Sequence, residues 1–239
     1  MRMKKLPFVS VIVPTLNEEK YVESCLKALK AQDYQGRYEI IVADGNSKDK
    51  TVEIAKKYAD KVIVVKKKGV AVGRNAGAKE AKGEIFVFID ADTVVAFNLL
   101  TELVKGFEKG VVGVTCPVIP LSTSMSEFLL FWFYDQFMRA SLKTKKPQVA
   151  GMCVAYERKA FEKIGGFDES IRAWDDYDIS ERISKLGKIV CVDSTFVMSS
   201  PRRIRKWGKT KAAIKYVKLY LTYLLAGRTP SIDKYTEVR

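Results

Sequence analysis

The sequence predicts an α/β fold in which a mostly parallel central sheet is flanked by helices, and three observations predict it. Short β-rich runs alternate with amphipathic helical runs through the first half of the 239 residues. The β-rich runs are almost continuously apolar, the pattern of strands buried on both faces, so helices must cover both sides of the sheet. Carboxylates gather just past the ends of those runs, and ligands of open α/β sheets bind beyond the carboxyl ends of the strands.

The first pair of runs is FVSVIVP and YVESCLKALKAQ, in which Val22, Cys25, Leu26 and Leu29 recur at helical spacing. Thr15, Asn17 and Glu18 follow its strand. The second pair is YEIIVAD and KTVEIAKKYA, with Asp44 at the strand tip, where it can accept a hydrogen bond from a base or ribose edge. Gly45 and Asn46 tolerate the positive φ of a tight turn, and Ser47, Asp49 and Thr51 read as caps of the next helix. The third pair is KVIVVK and VAVGRNAGAKEAKG. It sets Arg74 and Asn75 near a helix start, where backbone N–H groups and a cation suit a diphosphate; a glycine-spaced helix packed closely on the sheet is the equal alternative.

The fourth pair, EIFVFIDAD and FNLLTELVKGF, ends its strand on Asp90 and Asp92. On an extended chain these two carboxylates point the same way. Crowded carboxylates favour a cation between them, and hard oxygen ligands suit Mg or Mn, which also bind phosphates. Taken alone, such a pair also reads as a strand-end turn with a capping Asp. Beyond residue 120 the alternation gives way to an aromatic helix-like stretch, FLLFWFY at 128–134, and a strand around AGMCVAYE. A helix opening on WDDYDISERISKLG and a strand KIVCVDS follow. Acids in a first turn complement the helix dipole, but Asp175, Asp176 and Asp178 within four residues exceed that need. Like charges near a bound anion raise a carboxylate's pKa and strengthen it as a base.

Hydrophobic residues make up 47% and charged residues 29% of the chain, a globular composition, and there is no histidine. Its absence excludes Ser/His/Asp and Cys/His catalysis and most zinc sites, and points to Asp or Glu for any general base. Cys25, Cys116, Cys153 and Cys191 lack metal-ligand spacing and read as cytosolic thiols. The basic, then apolar start runs into NEEK without a cleavage site, so no signal peptide is expected. FLLFWFY falls far short of the ~18 apolar residues of a spanning helix.

In this order PTLNEE, ADGNSKDKT, GRNAG, DAD, GGFDE and DDYD resemble the family 2 inverting glycosyltransferases of the GT-A fold, over roughly residues 8–200. The resemblance implies a catalytic domain over 1–208, with a nucleotide-binding half at 1–118 and an acceptor half at 119–208. It implies that Pro14, Thr15, Asn17, Glu18 and Asp44 hold the nucleoside of a nucleotide-sugar donor, and that Arg74 helps hold the nucleotide. Asp90 and Asp92 hold ribose and a metal-bound diphosphate, with Mn or Mg as the cation and a UDP-sugar slightly favoured over a GDP-sugar. Asp176, matching the second acid of the family's E-D-x-D pattern, deprotonates the acceptor, with Asp175 beside it as the other candidate. The family's D-D-G-S turn stands here as Asp44, Gly45, Asn46 and Ser47. Where many relatives place a metal-binding His this chain reads VMSSPRRIRKWG, and Arg202 or Arg203 is expected to supply positive charge to the leaving diphosphate.

A sugar-1-phosphate nucleotidyltransferase is the competing enzyme, but its G-x-G-T-R signature is replaced here by PTLNEE. The formal net charge of +14 raises a basic binding protein as the other reading. Acids at the strand ends repel a polyanion, so no nucleic-acid partner is expected. A basic amphipathic helical tail is expected over 209–239, with Ile214, Val217, Leu221, Leu224 and Leu225 on one face and Lys211, Lys215 and Lys218 on another. This tail and the aromatic stretch either lie on an anionic membrane at its cytoplasmic face, beside a polyprenyl-linked or other saccharide acceptor, or pack as core or homodimer helices.

Overall fold

The structure, a computed structural model, describes residues 6–171, 174–208, 210, 211 and 214. In chain order the elements are β1 (Val9–Thr15), α1 (Val22–Lys30), β2 (Tyr38–Asp44), α2 (Thr51–Tyr58), β3 (Lys61–Val64), α3 (Val70–Glu80), β4 (Ile85–Ile89), β5 (Thr93–Val95) and α4 (Leu99–Lys105). There follow β6 (Val111–Thr115), β7 (Val118–Pro120), α5 (Met125–Ser141), β8 (Cys153–Glu157), α6 (Arg158–Lys163), α7 (Asp175–Ser184), β9 (Lys188–Cys191), β10 (Val197–Ser199) and α8 (Arg202–Trp207). The tail expected over 209–239 lies outside the described residues except for 210, 211 and 214, of which Ile214 is exposed.

The main sheet has seven strands in the order β3-β2-β1-β4-β8-β6-β9. The pairings β3·β2, β2·β1, β1·β4 and β6·β9 are parallel, and β8 is antiparallel to both β4 and β6. The mostly parallel sheet expected from the sequence is therefore present, with one strand of the second half inserted at its centre. A smaller sheet, β5-β10-β7, stands beside it. Its strands are three residues long, too short for a period of two to mark them in the sequence.

The strand faces divide the core as the pleat dictates. Val9, Val11 and Val13 of β1 and Ile85, Val87 and Ile89 of β4 pack with Leu26, Leu29, Leu99 and Leu103 on one side. Ile12, Phe86 and Phe88 pack on the other with Tyr156, Phe161, Phe167 and Ile179. On this second side α3 lies close against β1. A Cβ at Gly73 would stand 3.4 Å from Pro14 Cβ, and one at Gly77 only 2.4 Å from Ile12 Cγ2. The glycine spacing thus serves close helix–sheet packing, and that seat carries Arg74 into the protein interior.

Gly77→Ala is expected to destabilise the fold, because overpacking costs ~1–3 kcal/mol and exceeds the ~1 kcal/mol gained in helix propensity. Gly73→Ala meets only ordinary contact and should be neutral or slightly stabilising. Urea midpoints at unchanged m-value check the pair; equal midpoints would remove the close-packing argument.

Candidate active site

The tips of β1, β2 and β4, the start of α3, the start of α7 and the β10–α8 junction supply the expected residues. Asp44 ends β2 fully buried. Its carboxylate accepts from Thr15 Oγ1 at 2.9 Å, Ser47 Oγ at 2.6 Å and Ser47 N at 2.8 Å. It therefore fastens the loop after β2 to the loop after β1, and does not present a free oxygen as expected. Ser47 and Thr51 join the same seam: Ser47 Oγ accepts from Asn17 N at 2.7 Å and Thr51 Oγ1 from Glu18 N at 2.7 Å. Asn17 Oδ1 accepts from Lys48 N at 2.8 Å. Of the expected caps of α2, Asp49 serves, its Oδ1 accepting from Thr51 N at 3.0 Å, while Ser47 and Thr51 are corrected to residues of the seam. Asn17 and Asn46 both adopt positive φ, 55° and 70°, which asparagine tolerates better than most residues. Pro14 is half-buried beneath α3.

Asp90 and Asp92 lie in a turn between β4 and β5, closed by Thr93 N donating to Asp90 O at 3.1 Å, and not on the extended chain expected. They remain electrostatic neighbours. Burial first, and then the charge of Asp90, pushes the Asp92 carboxyl up to about 6, against the pull of Arg202. Arg202 reaches this pair from α8: its Nε lies 3.0 Å from Asp92 Oδ2, while Nη1 and Nη2 donate to Glu18 at 2.7 and 2.6 Å. Arg203 is exposed, and its charge also acts on Asp92.

Arg74 is corrected from an open cation at a helix start to a buried one in the second turn of α3, 3% exposed. Its Nη1 donates to Asp175 Oδ2 at 2.8 Å, and its Nη2 to Asp90 Oδ1 at 2.9 Å and to Gly151 O at 3.0 Å. Among the described residues its buried Nε has no hydrogen-bond partner. One guanidinium thus ties the strand-tip acid to the acids of α7. Burial opposes its charge, but Asp175 and Asp90 hold it protonated.

The three acids opening α7 separate into different roles. Asp178 pairs with Arg182, which also donates to Ile164 O and Gly166 O and so fixes the glycine turn. Asp175 is buried against Arg74; burial pushes its carboxyl up and the guanidinium pulls it back. Half-buried Asp176 accepts from Gly151 N at 2.9 Å and from its neighbour Tyr177 N at 3.0 Å. Burial, and then the charge of Asp175, pushes its carboxyl up to about 6.

Two contributors escaped the sequence reading. Gly151 gives its carbonyl to Arg74 and its N–H to Asp176, and a Cβ there would stand 2.4 Å from Arg74 Nη2. Its signal is only a glycine before a strand, which is common. Trp174 precedes the acids at φ 69°, a rare backbone for a large residue, and its ring meets Tyr177 at 4.4 Å. Nothing in the sequence marks that strain.

The carboxylates of Asp90 and Asp92 are hard oxygen donors of the kind that suits Mg or Mn, and each now carries a guanidinium, Arg74 on Asp90 and Arg202 on Asp92. Among the described residues no group of three or more His, Cys, Asp or Glu is arranged to hold a metal. Two carboxylates are a partial shell of the kind that phosphate oxygens and water complete.

The chain is 30% identical over 204 residues to the probable glycosyltransferase YdaM of Bacillus subtilis (strain 168), which covers 77% of this chain and 48% of the relative. It is 31% identical over 198 residues to the beta-monoglucosyldiacylglycerol synthase of Nostoc sp. (strain PCC 7120 / SAG 25.82 / UTEX 2576), covering 74% and 41%. The chain spans less than half the length of these relatives. Mannosyltransferase PcManGT from Pyrobaculum calidifontis, solved in complex with GDP-Man and Mn2+, superposes with a TM-score of 0.73 at 26% identity, over 94% of this chain and 66% of that one. S. aureus TarS 1-349 in complex with UDP shares the fold, with a TM-score of 0.64 at 21% identity over 83% and 62%. The fold is of the GT-A type, with the mostly parallel sheet flanked by helices. The family model for glycosyl transferase family 2 matches residues 10–165, from β1 through α6, and the chain belongs to that family.

Proposed function

We propose that this chain is an inverting glycosyltransferase that moves a sugar from a nucleoside-diphosphate donor to an acceptor hydroxyl or phosphate, with Asp176 as the base. The observation that carries the reading is the single buried guanidinium of Arg74 joining Asp90, on the donor side, to Asp175, next to the base. It supports a donor and an acceptor oxygen meeting within side-chain reach of one another. The nucleoside lies along the seam of Thr15, Asn17, Glu18 and Asp44, with Asp44 building the wall of that pocket. Asp90 and Asp92 would hold a divalent cation, which supplies charge stabilisation to the departing diphosphate. Arg202 and Arg203 add positive charge on the same side. Asp176, held by two backbone N–H groups and raised by burial and Asp175, takes the acceptor proton as the acceptor oxygen attacks opposite the leaving group. One displacement inverts the anomeric centre. Donors of both bases merit testing, because PcManGT was captured with GDP-Man and TarS with UDP.

A lipid-linked acceptor, met from a peripheral position at the cytoplasmic face of a membrane, is supported by the lipid named in the Nostoc relative and by α5. No helix among the described residues is long and apolar enough to cross a membrane. Within the aromatic stretch, read as apolar nearly all round, Phe131 is buried while Phe128, Leu129, Trp132 and Phe133 are exposed, in line with exposed Met125. That is one helical stripe. Cations flank it: Lys143 and Lys145 are exposed past its end, and Arg205 of α8 pairs with Glu127 near its start. Aromatic residues with flanking cations match the interface of an anionic bilayer.

Turnover of a UDP- or GDP-sugar should require Mn or Mg and vanish in excess EDTA, and Asp176→Asn should lower kcat by about 10²-fold or more with donor affinity nearly kept. Full turnover by Asp176→Asn would rule that carboxylate out as the base. Because the base must be ionised, the rate should fall as pH drops through about 6. Asp175→Asn removes the like charge and should move that acid limb to lower pH; an inactive Asp175→Asn beside an active Asp176→Asn would exchange their roles. The protein should sediment with anionic vesicles in a salt-sensitive way, and Trp132→Glu with Phe133→Glu should abolish this. Concentration-dependent dimers without vesicle binding would return the stripe to helix packing.

A further inference from the structure

Arg202 is the first residue of α8, yet its three nitrogens are directed at acids from the first half of the chain, Glu18 and Asp92. Both terminal nitrogens grip the two oxygens of Glu18, and Nε stands against Asp92 Oδ2 at 3.0 Å. The guanidinium carbon lies 4.9 Å from the centre of the Tyr21 ring, a cation–π seat that fixes its plane. Glu18 and Asp92 are both largely buried, so a cation between them compensates charges that water does not. The segment carrying Arg202 is held to the same turn, since Ser200 N donates to Asp92 O at 3.1 Å. Release of Nε from Asp92 therefore needs a side-chain rotation only.

This arrangement conflicts with a divalent ion on Asp92. Arg202 stands on Asp92 and Arg74 on Asp90, and a guanidinium and a divalent ion on one carboxylate repel each other; of the two guanidinium groups Arg74 is fully enclosed, while Arg202 is part-exposed and free to leave. A diphosphate changes the balance in two ways: it completes the ion's shell with phosphate oxygens, and it offers the guanidinium a stronger bidentate acceptor. Building on the proposed nucleotide-sugar reading, we infer that Arg202 is an internal counter-cation that holds the metal-binding edge of Asp92 until a nucleoside diphosphate arrives, then leaves Asp92 for the diphosphate, so that metal and nucleotide bind as one unit. Glu18 is the pivot that Arg202 keeps in this exchange.

The test is Mn2+ binding without turnover, followed by the electron paramagnetic resonance of free Mn2+, with and without UDP or GDP. The native protein should bind Mn2+ alone weakly and gain about 5–150-fold in affinity when the nucleotide is added, the usual range of coupling between two ligands. Arg202→Gln should bind Mn2+ alone at least about fivefold more tightly and lose most of the nucleotide's enhancement. Arg202→Lys, which keeps the charge, should stay weak for Mn2+ alone; it also serves if the Gln variant does not fold. A purely structural role predicts the opposite for Arg202→Gln, equal or weaker Mn2+ binding with the enhancement intact, and that result overturns the exchange. Tighter Mn2+ binding by Arg202→Lys than by the native protein overturns it as well. If the native protein binds neither nucleotide with Mn2+, the donor reading fails and the exchange falls with it; nucleotide-dependent binding unchanged by Arg202→Gln defeats the exchange alone.

Discussion

Arg74 is the interaction on which the rest of the arrangement depends. Its guanidinium is carried inward by α3, which can approach β1 closely because Gly77 has no side chain to hold it off. Once inside, it meets the tip of β4 at Asp90, the start of α7 at Asp175 and the residue Gly151 before β8. Removing such a group leaves the buried carboxylate of Asp175 uncompensated, which costs about 3–5 kcal/mol in comparable pairs. The order of the strands matters to this: β8 lies next to β4, so Gly151 arrives beside the Asp90 turn and hands one backbone group to Arg74 and the other to Asp176.

A second seam, built without a cation, supports the same edge of the sheet. Asp44 is wholly enclosed and takes three hydrogen bonds, which join the loops after β1 and β2 into one wall. A carboxylate satisfied in this way is stable without a cation, and it is an anchor for neighbouring groups more than a reagent. Burial pushes the carboxyls of Asp92 and Asp176 up to about 6, which makes these two acids able to change state near neutral pH.

The excess of positive charge is distributed to suit that site. Formal net charge is +14, yet the strand tips collect acids, so cations sit around them or outside them. Arg74 and Arg202 are internal and paired, while Arg203, Lys143 and Lys145 are on the surface. Internal cations set carboxylate geometry. Surface cations flank an apolar helix face and act at longer range, where salt weakens them.

The sequence by itself determined the α/β class, the mostly parallel sheet and the collection of acids at the strand tips. Those properties follow from local periodicity and from the residues that end each run, which a linear reading contains. Asp90, Asp92, Asp175 and Asp176 were legible for that reason. Only the tertiary structure decided what pairs with what. Arg74 meets Asp175 across 101 positions and Arg202 meets Glu18 across 184, separations at which no period or spacing carries information. The burial of Asp44, the insertion of β8 and the outward face of α5 belong with them. Each depends on which surfaces the folded chain brings together, and burial and charge compensation become definite only when those surfaces are in contact.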